Sequence, residues 1–145
     1  MKTAAELESF LHEKIPLTVA MGVQVAACSD ARLVLTAPLA PNRNHVQTAF
    51  GGSLHALATL SGYSLLWWLL REPEAHIVIR ESTIQYDRPV GGDLKAICCS
   101  PSPLELERFQ RDFARKGKAR LTLEAVIEFN AEIAARFRGV FVALR

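Results

Sequence analysis

The sequence predicts an α+β fold in which a curved antiparallel sheet wraps around one long apolar helix. Three observations carry that prediction. From Leu54 to Leu70, LHALATLSGYSLLWWLL, there is no Asp, Glu, Lys or Arg, so a helix there has no polar face and must be covered nearly all round. The segments flanking it alternate apolar and polar residues, the pattern of strands with one buried face. Those strands come in pairs joined by short turn sequences, which favours antiparallel pairing.

Each element has its own signal. Thr3-Ala4-Ala5-Glu6 is a capping box, and Leu7, Phe10, Leu11 and Ile15 recur at helical spacing until Pro16. Met21 to Cys28 and Arg32 to Ala37 read as strands joined through Ser29-Asp30. Pro38 and Pro41 bracket a loop that leads into the apolar helix. Beyond the Arg71-Glu72-Pro73-Glu74 break, HIVIRESTIQYD is rich in β-branched residues and forms the third strand. Pro89-Val90-Gly91-Gly92 turns the chain into a fourth, Asp93 to Cys99. Ser102-Pro103-Leu104-Glu105 is a second capping box, opening a helix to about Lys116. Leu121, Leu123, Ala125, Ile127 and Phe129 then alternate with polar residues, and Asn130-Ala131-Glu132 turns this strand back into Ile133 to Leu144.

Composition narrows the function. At 145 residues the chain reads as one domain, 1–145, able to bury about two thirds of its unfolded surface. A net charge of +2 gives no argument for nucleic acid. The apolar run reaches only the low edge of a spanning helix, ~17–25 residues. It also holds His55, Thr59, Ser61, Gly62 and Ser64, so burial in a core is expected rather than a membrane span. Three cysteines, Cys28, Cys98 and Cys99, form no paired spacing and read as free thiols of a reducing cytoplasm. Glu6, Glu8 and Glu13 interrupt any signal-peptide core. Four scattered histidines make no metal set, and no phosphate-loop or dinucleotide glycine pattern occurs.

The stretch APLAPNRNHVQTAFGGSLHALATLSGYSLLWW contains Asn44, Thr48 and Phe50-Gly51-Gly52-Ser53. Tyr86-Asp87-Arg88-Pro89-Val90 closes the third strand, and KGKARLTLEAVIEF opens the fifth. Together these resemble the hot-dog fold thioesterase superfamily, nearest to the thioesterase domain at the C-terminus of YiiD-type acetyltransferases. The resemblance spans essentially the whole chain. It implies a homodimer or tetramer paired through the third strand, with sites at the dimer interface. It also implies acyl-CoA or acyl carrier protein as partner, and no cofactor beyond the coenzyme A or phosphopantetheine of the substrate.

The motif suits that chemistry. Gly51 and Gly52 let backbone approach a ligand closely, and the first helical turn leaves N–H groups without intrahelical partners at the positive end of the dipole. Hydrolysis of a thioester passes through an oxyanion that such donors stabilise, commonly by ~3–4 kcal/mol. Asn44 and Thr48 are candidates to orient water, and the His45 imidazole could accept its proton.

In the branch of the superfamily with a His-Gly-Gly helix entry, a histidine precedes the paired glycine and a carboxylate follows along the helix. Here Phe50 and Thr59 stand at those positions, leaving the catalytic base unassigned. Glu81 and Asp87 are candidates to approach substrate from the second protomer, and Ser53 reads as an N-cap or first-turn residue beside it. His55 reads as a buried histidine bonded to a backbone carbonyl. Tyr63, Trp67 and Trp68 are core aromatics that could line an acyl tunnel. Lys116 and Lys118, in a basic run, are candidates for phosphate contact. The expectation is a thioester hydrolase. Its competitors are a non-catalytic acyl-thioester binding module and an enoyl hydratase or dehydratase of the same fold, which would need a His poised with a carboxylate.

Overall fold

Thr3 caps the first helix, α1 (Ala4–Lys14), in the computed structural model, which describes residues 2–145. Met1, the first residue of the domain expected over 1–145, lies outside them. The capping box is complete: the Glu6 N–H donates to the Thr3 hydroxyl at 3.1 Å and the Thr3 N–H donates to the Glu6 carboxylate at 2.7 Å. Past Pro16 the chain makes a further short helix, α2 (Leu17–Met21), where the sequence reading already has a strand beginning at Met21. The Thr18 hydroxyl explains the difference. It is fully buried, 2.8 Å from the Ile15 carbonyl and 3.0 Å from that of Leu11, which folds the segment back on α1. Gly22, at φ 73°, ends the turn in the left-handed region, so β1 (Gln24–Cys28) starts later than expected.

The other strands are β2 (Arg32–Ala37), β3 (His76–Tyr86), β4 (Leu94–Cys99), β5 (Lys118–Phe129) and β6 (Glu132–Leu144). They form one antiparallel sheet in the order β1-β2-β4-β5-β6-β3, leaving β1 and β3 as its edges. Alternation holds where it is expected: Cys98 on β4 is buried and its neighbour Cys99 is exposed. The helix α4 (Pro103–Lys116) begins on its capping box and packs Phe109 and Phe113 beside the first half of β5.

The long apolar helix α3 (Gly51–Leu70) lies across the sheet and touches β2 through β6. Leu57, Ala58, Leu65 and Leu66 are completely buried in it. Gly62 admits the ring of Phe141 from β6: a Cβ there would lie 2.6 Å from the ring tip. Among the described residues, no helix is long and apolar enough to cross a membrane.

One irregularity in β3 positions side chains for the site. Its pairing with β6 shifts between Ile79 and Glu81, so Arg80 is bulged. Beyond the bulge, Ser82 and Tyr86 turn toward α3, each bonded to it. Glu81, next to Ser82, falls on the opposite face and is exposed.

Candidate active site

The loop before α3 is held from below by a residue the sequence reading passed over. Asn42 is 2% exposed; its amide donates to the carbonyls of Met21 and Pro38, both at 2.8 Å, and its own carbonyl accepts the Phe50 N–H at 2.7 Å. Above it, Arg43 and Ala49 form an isolated antiparallel bridge. The turn between them belongs to Asn44. Its carboxamide oxygen accepts from the Val46 and Thr48 N–H groups at 2.9 and 3.1 Å, and its amide donates to the Thr48 hydroxyl at 2.8 Å. Asn44 and Thr48, expected together near the helix mouth, are thus bonded to each other and half-buried, while His45 on the same turn is exposed.

Phe50 is the N-cap of α3 and offers no side-chain oxygen to it. The first bonds of the helix run from the N–H groups of Ser53 and Leu54 to the Phe50 carbonyl, at 2.9 and 3.1 Å. The N–H groups of Gly51 and Gly52 come before them and have no intrahelical acceptor. No acidic residue stands in the first turn to offset the positive end of the dipole, and Ser53 is a first-turn residue rather than the cap. The two glycines differ in how closely other side chains approach them. A Cβ on Gly52 would lie 2.3 Å from the exposed Phe50 ring, which would have to swing aside, whereas one on Gly51 would make ordinary contact with the Tyr86 ring at 3.4 Å.

Beside Gly52 at this mouth lies an open cavity of about 450 Å³ on the surface. Gly52, His55, Thr59 and Tyr63 follow one another at helical spacing on one face of α3, with Ile15 and Leu17 opposite. His55 bonds a side chain, not the expected backbone carbonyl: its Nε2 is 2.9 Å from Ser82 Oγ, and its ring meets Phe137 edge-on at 5.7 Å. Burial pushes the Tyr63 phenol up from its ordinary range. The spacing of His55 and Thr59 after Gly52 signals their common face. Ser82 had no signal, since its orientation depends on the bulge at Arg80.

The remaining candidates lie elsewhere. Asp87 is paired with Arg136 at 3.2 Å. Lys116 and Lys118 line a groove of about 830 Å³ with Arg80 and Arg120 over an apolar floor that includes Val78 and Val142. That groove is at the opposite end of β3 from Tyr86. Trp67 and Trp68 do not share Tyr63's cavity. They line another of about 690 Å³ with Lys2 and Arg71, where Trp67 stacks on Phe10 at 5.0 Å and Trp68 donates to Asp30 at 3.0 Å. Among the described residues, no group of three or more His, Cys, Asp or Glu side chains is placed to hold a metal ion.

Two unpaired N–H groups at a helix N-terminus, opening beside a largely apolar cavity, make a place for the oxygen of a polarised carbonyl with an alkyl group behind it. Comparisons with known proteins identify the family. A family model described as "Putative thioesterase (yiiD_Cterm)" matches residues 4–145. A solved structure from Chlorobaculum tepidum TLS, of unknown function, is 35% identical with a TM-score of 0.90, covering 98% of this chain and 94% of that one. A structure described as a "putative thioesterase" from Shewanella oneidensis is 27% identical with a TM-score of 0.85, covering 98% and 97%. A thioesterase from Haemophilus influenzae, only 13% identical, matches in fold with a TM-score of 0.77, covering 100% and 92%. With its six-stranded antiparallel sheet packed on a 20-residue helix, the chain has the hot-dog fold and belongs to the family described as "Putative thioesterase (yiiD_Cterm)".

Proposed function

We propose that this protein hydrolyses acyl thioesters of coenzyme A or acyl carrier protein at the mouth of α3. It acts as one domain, 1–145, with no cofactor beyond the coenzyme A or phosphopantetheine of its substrate. The observation that supports this most is the pair of free N–H groups on Gly51 and Gly52 at the start of α3, where Gly52 lines the apolar cavity. They would receive the thioester oxygen as it gains charge. Phe50 and Ser53 flank that oxygen site, and the acyl chain follows the α3 face past Thr59. Asn44 has a second amide hydrogen beyond the one given to Thr48, and with Thr48 and His45 it orients water at the rim.

A second copy completes the site in this reading. The edge strand β3 presents an unpaired backbone, with Val78 49% and Ile79 37% exposed. Antiparallel pairing of β3 with the same strand of another copy sets the start of one beside the end of the other, a span of roughly 26 Å from Val78 to Tyr86 at ~3.3 Å per residue. The basic groove of one protomer then stands at the same end of the sheet as the α3 mouth of its partner, where Lys116 and Lys118 meet substrate phosphates. Glu81 and Asp87 border that seam. Two such dimers would make a tetramer, and the free thiols Cys28, Cys98 and Cys99 suit a cytoplasmic setting.

The test is release of free thiol from a panel of acyl-CoA and acyl-carrier-protein thioesters. Turnover above background is expected. Binding without turnover would instead make this an acyl-thioester binding module, and loss of conjugated absorbance from an enoyl thioester would make it a hydratase.

A further inference from the structure

Of the turn residues in the hydrolase reading, Asn44 and Thr48 are not proton acceptors at neutral pH, and His45 is exposed and does not line the cavity beside Gly52. We propose that His55 is the base for the attacking water, with Ser82 of β3 as the residue that holds its ring in place. This inference rests on the hydrolase reading above.

Placement is the first argument. His55 lines the same cavity as Gly52, which lies three residues before it on the helix, so an acyl group entering past Gly52 runs along the helix face that carries the imidazole. Chemistry is the second. The groups packed around His55 are the Ser82 hydroxyl, the Phe137 ring, Thr59, Tyr63 and the apolar Ile15 and Leu17. None carries a charge, and imidazole is the one group among them suited to taking a proton near neutral pH. The bond to Ser82 is the third. Nε2 lies 2.9 Å from Ser82 Oγ, which holds the ring in place; the tautomer this proposal requires has Nε2–H donating to that hydroxyl and the lone pair on Nδ1.

The step balances with water as the only co-reactant. Nδ1 takes a proton from water as the water oxygen bonds the thioester carbon, and the carbonyl π pair moves onto the oxygen facing Gly51 and Gly52. Collapse of that oxyanion restores the carbonyl and breaks the C–S bond, whose electron pair leaves on sulfur. The imidazolium gives its proton to the thiolate, so the products are a carboxylic acid and a free thiol.

Kinetics of His55→Gln, His55→Ala and Ser82→Ala against wild type test the proposal, with folding followed by circular dichroism. Loss of a general base costs typically 10²–10⁴-fold. His55→Gln should therefore lower kcat about 100-fold or more with KM changed by less than about threefold, and the acidic limb of the kcat–pH profile should vanish. Added imidazole should restore part of the His55→Ala activity. Ser82→Ala should lower kcat about tenfold and displace that limb without removing it, as expected of a positioning residue. Wild-type turnover that folded His55 variants retain would overturn the base and leave the hydrolase reading intact. An acyl adduct trapped on Ser82 would also overturn it, by making Ser82 the nucleophile. A wild-type protein inert across the whole panel would defeat the hydrolase reading, and the base with it.

Discussion

The hydroxyl of Tyr86 donates to the carbonyl of Gly51 at 3.0 Å, tying the last residue of β3 to the first residue of α3. This bond sets where the helix mouth stands relative to the sheet edge. Tyr86→Phe keeps the ring against Gly51 and removes only the hydroxyl. A net loss of about 0.5–1.5 kcal/mol is expected in denaturant unfolding, the usual worth of one such bond. Thiol-release turnover should fall more than that stability loss explains, because the oxygen site moves.

Asn44 separates loop-building from water-orienting roles. Asn44→Asp keeps an acceptor for the Val46 and Thr48 N–H groups but loses the donor. The variant should fold like wild type by thermal melting and still turn over at least about tenfold more slowly. Unchanged kinetics in Asn44→Asp would confine this residue to the turn.

Gly62→Ala tests the core. The new methyl would sit 2.6 Å from Phe141 Cζ, and Phe141 is completely buried with nowhere to move. Overpacking of this kind costs about 1–3 kcal/mol, which outweighs the gain of up to about 1 kcal/mol from helix propensity. The melting temperature should fall, and Phe141→Leu in the same chain should recover part of the loss.

The thiols should react in a fixed order. Burial first, and Cys99 beside it second, push the Cys98 thiol from 9.0 up to about 12, and burial also raises Cys28. Cys99 is exposed and should titrate first with a disulfide reagent in the native protein, Cys28 more slowly, and Cys98 only on unfolding. The raised Cys98 value has a sign for stability. The unfolded chain releases that proton above 9.0 while the folded one keeps it, so this contribution is full below 9.0 and is lost as pH rises toward about 12. Wild type should therefore lose more stability than Cys98→Ala between pH 8 and about pH 10.5 in urea melts.

The basic groove predicts a split in substrate dependence. Lys116→Glu with Lys118→Glu should raise KM for acyl-CoA about tenfold at low salt while leaving kcat near wild type. The same acyl group on N-acetylcysteamine, which has no phosphates, should show no such change. Equal effects on both substrates would remove the groove from substrate binding.

Much of this molecule was legible in its residues because the signals were local. Both capping boxes, the uncharged run of α3 and the alternation of β5 and β6 act within a few residues, and each became the element it predicts. The site was legible only in part. The glycine pair announced the helix mouth, yet Asn42 and Ser82 act on partners far away in sequence: Met21 for one, His55 for the other. Their roles depend on how α2 folds back and on a bulge in β3, and neither is written in the spacing of nearby residues.

The bare start of α3 has a further consequence. With Phe50 at the N-cap and nothing acidic after it, this is the end from which a 20-residue helix should fray. An anion seated on the Gly51 and Gly52 amides would serve as the cap the sequence omits. Occupancy should then slow hydrogen exchange through the first turn of α3 while leaving its far end, near Trp67, unchanged. The protein would carry at its mouth a built-in reporter of whether the site is filled.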